Sequence, residues 1–377
     1  MQTDKEILLR SPRLIVSLAA LCALAFGVAA CGSSSNNKTE STAAPSGAPK
    51  GGTINGAGAT FPAPVYTEWA ARYKDATGTT VNYQAIGSGG GVAQFTAGTV
   101  DFGASDAAME DAEIKAAEKK GTPVHIPTVA GSVTVSYNLP GVAKGLKLDG
   151  PTIANIFLGK VKKLNDPSIA SQNSGQDLPD TDITVCHRSD ESGTTKLFTT
   201  FLAAYSPTWD KTVGVDKTVK WPTGTGAKGN DGVAACVKQN EGAIGYVEQA
   251  FALENNFTYA SVKNKAGNYV EPTLESTTAA VEGLKVPPDL RFSAINTPAP
   301  QGYPIASSTF LLVYQDMCKA GIKQGTAERV KGWLDYATGD GQKVAPELSY
   351  APEPANISDA AKAKVKGLQC NGKPLGG

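Results

Sequence analysis

The chain is 377 residues long, 41% hydrophobic, and carries 35 basic against 35 acidic side chains, so its formal net charge is zero. That balance provides neither a basic field for nucleic acid nor one for an anionic membrane surface. The length accommodates two domains of ordinary size.

Taken in chain order, the N-terminus comes first. Arg10 and Arg13 precede an apolar run, Leu14 to Ala25, and "FGVAAC" sets small residues directly before Cys31. A basic stretch, a short apolar core and a small-residue cleavage site make a secretory signal over residues 1–30. The apolar run falls short of the roughly 20 residues that a spanning helix needs. "VAAC" resembles the lipobox at which bacteria attach diacylglycerol to the cysteine thiol and cleave before it, so Cys31 is expected to carry lipid, palmitate included. Residues 31–50, "CGSSSNNKTESTAAPSGAPK", are small and polar and bury no core; they read as a flexible tether. The folded body would then stand off the outer face of the cell membrane.

From residue 51 on, β-like and helical runs alternate, as in α/β folds. "INGAGATFPAPVYTEWAARY" predicts a helix start: Pro62 and Pro64 suit its first turn, and Val65, Trp69 and Tyr73 recur on one face. The free backbone N–H groups would belong to Thr60 and Phe61. "GTTVNYQAIG" alternates as a strand, and "SGGGVAQFTAG" then turns helical, with Ser88 as N-cap and a stop at Gly98. "TVDFGASD" alternates again and sets Asp106 at a helix start. "HRSDESGTTKLFTTFL" places Ser192 as N-cap ahead of the apolar pair Leu197 and Phe201. "GAIGYVE" is a short buried strand. Two longer β-rich runs, residues 126–138 and 303–314, are able to carry the chain between two lobes, the first built from both ends of the body.

Cys22 leaves with the signal, which leaves Cys186, Cys236, Cys318 and Cys370, an even number in an exported chain. Two disulfides are expected. Among the three pairings, Cys186 with Cys236 and Cys318 with Cys370 join segments close in sequence. No CxxC spacing, H-E-x-x-H or aspartate-rich loop points to a metal, and no cofactor is expected. "GSGGG" and "GTGAKGN" match no nucleotide loop, Ser88 lacks the G-x-S-x-G frame, and Ser192 with Lys196 misses S-x-x-K. His125 and His187 read as structural side chains. Helix N-termini suit anions, yet every helix has one, and taken singly Ser88, Asp106 and Ser192 are ordinary caps. Arg188 taken singly is a surface partner for Asp190. Four such turns in one chain raise the question of whether they converge.

At those residues a family resemblance enters. "GAGATFPAPVY", "GSGGG", "TVDFGASD", "FLGKVKKLNDPSI", "HRSDESGTTKLFTTFL", "VKWPTGTGAKGNDGVAACV" and "GAIGYVE" together resemble the phosphate-binding proteins of bacterial phosphate ABC transporters, in order and from about residue 51 to the C-terminus. The resemblance implies a two-lobed periplasmic-binding-protein fold of the second type, with two crossover strands forming a hinge. The lobes would be residues 51–136 with 304–377, and 137–303. It implies a monomeric, non-catalytic receptor that passes inorganic phosphate to a membrane permease. The implied ligands are Thr60, Phe61, Ser88, Asp106, Arg188, Ser192, Gly193 and Thr194, with Asp190 orienting the arginine.

Hydroxyls and backbone N–H groups surround an oxyanion without excess charge. Asp106 is the exception. An ionised carboxylate tolerates an anion only if that anion has a proton to give, which hydrogen phosphate has and sulfate lacks, so phosphate is expected over sulfate. One position departs from the family: residue 191, more often glycine, is Glu191 here, adding a carboxylate beside the cleft. Rival readings are a secreted phosphatase of the same fold, a receptor for another oxyanion, and a surface antigen or adhesin.

Overall fold

Three short strands open the body: β1 (Thr53–Gly58) lies between β2 (Thr80–Ala85) and β3 (Phe102–Ser105), parallel to both. Parallel neighbours need a crossover, and the helices α1 (Ala63–Thr77) and α2 (Ser88–Ala97) provide it. The structure is a computed structural model and describes residues 51–142 and 144–376. The expected signal over 1–30, the lipid site Cys31 and the tether to residue 50 lie outside the described residues. Among the described residues, no helix is long and apolar enough to cross a membrane.

A short helix, α3 (Asp111–Ala117), leads into β4 (Pro123–Asn138). A second parallel set follows: β5 (Thr184–Arg188) pairs with β6 (Thr225–Ala227) and with β7 (Ala243–Glu248), and α4 (Gly193–Tyr205) and α5 (Gly229–Gln239) connect them. The last long strand is β8 (Ala306–Tyr314). The sheet runs β2-β1-β3-β8-β4-β7-β5-β6, parallel at both ends and antiparallel in the middle. From Pro123 to Ser132, β4 pairs with β8, and from Val133 to Asn138 with β7, so one strand belongs to both sets. The β-rich runs at 126–138 and 303–314 therefore hold the long central strands of a mixed α/β fold.

Between its two ends β4 is buried throughout, including Thr128, Ser132, Thr134 and Ser136. Buried hydroxyls need partners. Thr128 meets Tyr66 at 2.8 Å, Ser132 meets Thr277 at 2.7 Å, and Thr134 meets Ser136 at 2.7 Å.

Two aromatic clusters hold the helices that carry the candidate residues. On α1, Val65, Trp69 and Tyr73 are buried as their spacing predicts. Trp333, on the helix Gln324–Thr338, lies 6.2 Å from Trp69 and 5.6 Å from Tyr73. Beneath α4, Phe198 stacks on Tyr246 at 4.4 Å, Tyr246 on Trp221 at 5.7 Å, and Trp221 on His187 at 4.7 Å. Each contact adds about 0.5–1.5 kcal/mol to the burial of the rings. Disulfides Cys186–Cys236 and Cys318–Cys370 form as expected; the first ties β5 to α5.

Candidate functional site

Four turns converge, although two are built differently from the sequence expectation. Ser88 is the first helical residue of α2 rather than its N-cap, which is Gly87, and no side chain caps that helix. Freed from capping, the Ser88 hydroxyl lies 3.3 Å from Asp106 Oδ2 and accepts the Asp106 backbone N–H at 3.3 Å. Asp106 is not at a helix start either. It sits in the turn after β3, and the next helix begins at Asp111 behind a capping box of Glu110 and Glu113. Those glutamates satisfy the helix donors and leave Asp106 to the interior, 1% exposed. Thr309 on β8 donates to its Oδ1 at 3.0 Å.

Ser192 is the N-cap of α4 as expected, accepting from Thr195 N at 3.0 Å. Gly193 follows under a tight approach. A Cβ at that position would fall 2.5 Å from Ser88 Oγ and 2.8 Å from Asp106 Oδ2, so only glycine brings the α4 N-terminus against Ser88 and Asp106. Thr194 bonds the Asp106 carboxyl and accepts from Arg188 Nη1 at 3.4 Å.

Arg188 ends β5 and is 2% exposed. Its Nε and Nη2 donate to Asp190 Oδ1 and Oδ2 at 2.7 and 2.6 Å, a fork that fixes the guanidinium plane. Asp190 also accepts from Gly229 N at 3.0 Å. Burial acts to raise the Asp190 carboxyl, but the arginine overcomes it and holds the group below its ordinary value. Thr60, before α1, closes the group: its Oγ1 takes the backbone and side-chain nitrogens of Asn230 at 3.2 and 2.9 Å. Phe61 is fully buried, and its carbonyl accepts from Tyr350 OH at 2.6 Å; its place beside Thr60, rather than a side-chain contact, brings it to the cluster.

Burial pushes Asp106 from its ordinary 3.8 up to about 7, against hydrogen bonds from Thr309, the Arg188 charge and further bonds from Ser88 and Thr194. The cluster thus sets one arginine and several donors around a carboxyl that readily holds a proton near neutral pH. Such a group surrounds a small, partly protonated oxyanion with complementary partners.

Glu191 is exposed, its backbone carbonyl accepts the Gly89 N–H at 3.1 Å, and its side chain packs where a Cβ at Gly89 would stand. Its carboxylate therefore lies at the rim, outside the buried group. Both histidines have structural partners: His125 Nε2 accepts Met109 N at 3.0 Å, and His187 Nδ1 lies 3.0 Å from the Arg188 carbonyl. Among the described residues, no three His, Cys, Asp or Glu side chains group closely enough to hold a metal ion.

Three residues escaped the sequence reading. Thr309, Asn230 and Tyr246 meet the cluster from positions far along the chain; Tyr246 OH accepts Arg188 N at 3.1 Å and pairs with Thr195 Oγ1 at 2.7 Å. Nothing local marks them, because their partners are brought by the sheet.

Residues 43–340 match the model of the PBP superfamily domain. The chain is 43% identical over 317 residues to the phosphate-binding protein PstS of Pasteurella multocida, covering 83% of this chain and 90% of that one. Its fold is similar to that of a high affinity periplasmic phosphate-binding protein bound with phosphate, at a TM-score of 0.67, 22% identity, and coverage of 83% and 93% of the two chains. It is also similar to that of a putative phosphate ABC transporter substrate-binding protein from Clostridium perfringens, at a TM-score of 0.59, 15% identity, and coverage of 80% and 100%. By extent and identity of these matches, the chain belongs to the PstS phosphate-binding protein family of the PBP superfamily.

Proposed function

We propose that this chain is an extracytoplasmic solute-binding protein that captures hydrogen phosphate between two lobes and delivers it to the permease of an ABC transporter. It acts as a lipid-anchored monomer, held through Cys31 after removal of residues 1–30, and performs no catalysis. The lobes are 51–136 with 304–377, and 137–303, hinged on the two long central strands. Thr60, Phe61, Ser88, Asp106, Arg188, Ser192, Gly193 and Thr194 contact the anion, and Asp190 orients the arginine. The observation that carries this reading is the buried carboxyl of Asp106, enclosed by donors beside one buried arginine. That arrangement accepts an oxyanion with a proton to share and penalises one without. The names of its relatives support the same anion.

Calorimetric titration of purified protein, stripped of co-purified ligand, tests the proposal. At pH 8.5, where Asp106 is ionised, phosphate gives a saturable heat with one site per chain, and sulfate gives none at the same concentrations. Absence of heat with phosphate overturns it.

A further inference from the structure

Asn230 stands at the second position of α5, 0% exposed, directly behind Thr60 and Thr194. Its Oδ1 lies 3.0 Å from the backbone N of Glu248. A backbone N–H only donates, so this contact assigns the two ends of the amide and turns the NH2 group toward the threonines. Nδ2 lies 2.9 Å from Thr60 Oγ1 and 3.5 Å from Thr194 Oγ1. The backbone N–H of Asn230 reaches Thr60 Oγ1 as well, at 3.2 Å.

A threonine hydroxyl has two acceptor positions and one proton. On Thr60 both acceptor positions receive N–H groups of Asn230, so the hydroxyl proton is left to be given away. Thr194 Oγ1 receives Arg188 Nη1 at 3.4 Å and Asn230 Nδ2 at 3.5 Å, and its proton goes to the Asp106 carboxyl, so of the two threonines it is Thr60 whose proton is left for the site. The two threonines lie 134 positions apart, one before α1 and one in α4, and one buried amide serves both. A hydroxyl facing an oxyanion is attractive with its proton forward and repulsive with its lone pairs forward.

We propose that Asn230 is a positioning residue that sets the Thr60 hydroxyl as a donor toward the bound anion. The inference rests on the reading of this cluster as a phosphate site. Asn230→Asp keeps the shape and the contact with Glu248 N but replaces the NH2 by an acceptor, which draws the Thr60 hydroxyl proton away from the site. Asn230→Ala leaves the Thr60 hydroxyl free to turn.

Phosphate affinity of the full-length chain is measured for the parent, Asn230→Ala, Asn230→Asp, Thr60→Val, and each Asn230 variant combined with Thr60→Val. Melting curves without phosphate establish which variants fold. Affinity falls about tenfold in Asn230→Ala and about a hundredfold in Asn230→Asp, the scale of a buried hydrogen bond lost and of one replaced by facing lone pairs. In the Thr60→Val background, which has no hydroxyl to direct, both losses shrink at least threefold. Losses that are unchanged in that background, or an aspartate variant that binds better than the alanine variant, overturn the assignment while the phosphate site stands. A parent that binds no phosphate overturns the site and the assignment together. If Asn230→Asp does not fold, the alanine and Thr60→Val cycle decides alone.

Discussion

Two side chains set the chemistry at the scale of single residues. Asp106 is raised to about 7 mainly by burial, so in the absence of anion it holds a proton through much of the acidic range and loses it above neutrality. The proton decides the partner. Ionised, Asp106 accepts from hydrogen phosphate and repels sulfate; protonated, it donates to either. Sulfate should therefore compete with phosphate more effectively at pH 5.5 than at pH 8.5, as read by competition dialysis. In Asp106→Asn, which always has N–H to offer, sulfate competition should be strong at both pH values. The sign for stability follows from the same shift. The folded protein binds this proton more tightly than the unfolded chain, whose ordinary value is 3.8, so the contribution is full below about pH 4 and lost as pH rises through about 7. Glu353, raised to about 8 by burial and only partly offset by its bond from Ser308, acts in the same direction.

Arg188 spends Nε and Nη2 on Asp190 and keeps its remaining N–H groups for the site. A lysine has a point charge and no fork, so it cannot serve Asp190 and an anion in one plane. Arg188→Lys should weaken phosphate binding by roughly 10- to 100-fold, the value of one charge-assisted bond at about 1.5–3 kcal/mol. Unchanged affinity by calorimetry contradicts the role.

At the scale of elements, the strands and helices hold these residues by contacts that differ in how visible they are in sequence. The helix α1 was legible because Val65, Trp69 and Tyr73 repeat at helical spacing, and Ser192 because a hydroxyl directly precedes an apolar helix. Ser88 and Asp106 were misplaced by one and five positions from the nearest helix landmark, Gly87 and Asp111. Local capping rules reward a hydroxyl or carboxylate at a helix start, but here both groups face each other instead, a pairing that the parallel register of β1, β2 and β3 creates. Asn230 and Thr309 were beyond local rules altogether, since their partners lie 170 and 203 positions away. The disulfide Cys186–Cys236 fastens β5, two residues before Arg188, to α5. Replacing both cysteines by alanine should lower unfolding free energy by about 4 kcal/mol, the loop-closure scale for a separation of 50 residues, as read by urea titration.

At the scale of the whole molecule, contacts across the site bind the two proposed lobes in one arrangement. Lys196 on α4 reaches Glu110 at 2.5 Å, and Lys217 pairs with Glu113 of α3. The first pair is partly exposed and is worth about 0–1 kcal/mol. Lys217 is 6% exposed, so removing its partner leaves a buried charge uncompensated. Glu113→Gln should therefore favour an open form, lowering phosphate affinity about tenfold and raising the release rate, while Glu110→Gln should have little effect; equal effects in stopped-flow release would refute this distinction. Hinge closure on the anion would make phosphate the ligand that completes the fold and presents one shape to a permease.

The crystal structure of the protein with phosphate tests the account most directly. It should show one tetrahedral anion enclosed by Ser88, Arg188, Gly193, Thr194 and Thr60, with one anion oxygen within 2.7 Å of an Asp106 carboxyl oxygen, the length of a charge-assisted O–H···O bond. An anion bound elsewhere, or held without contact to Asp106, would contradict it.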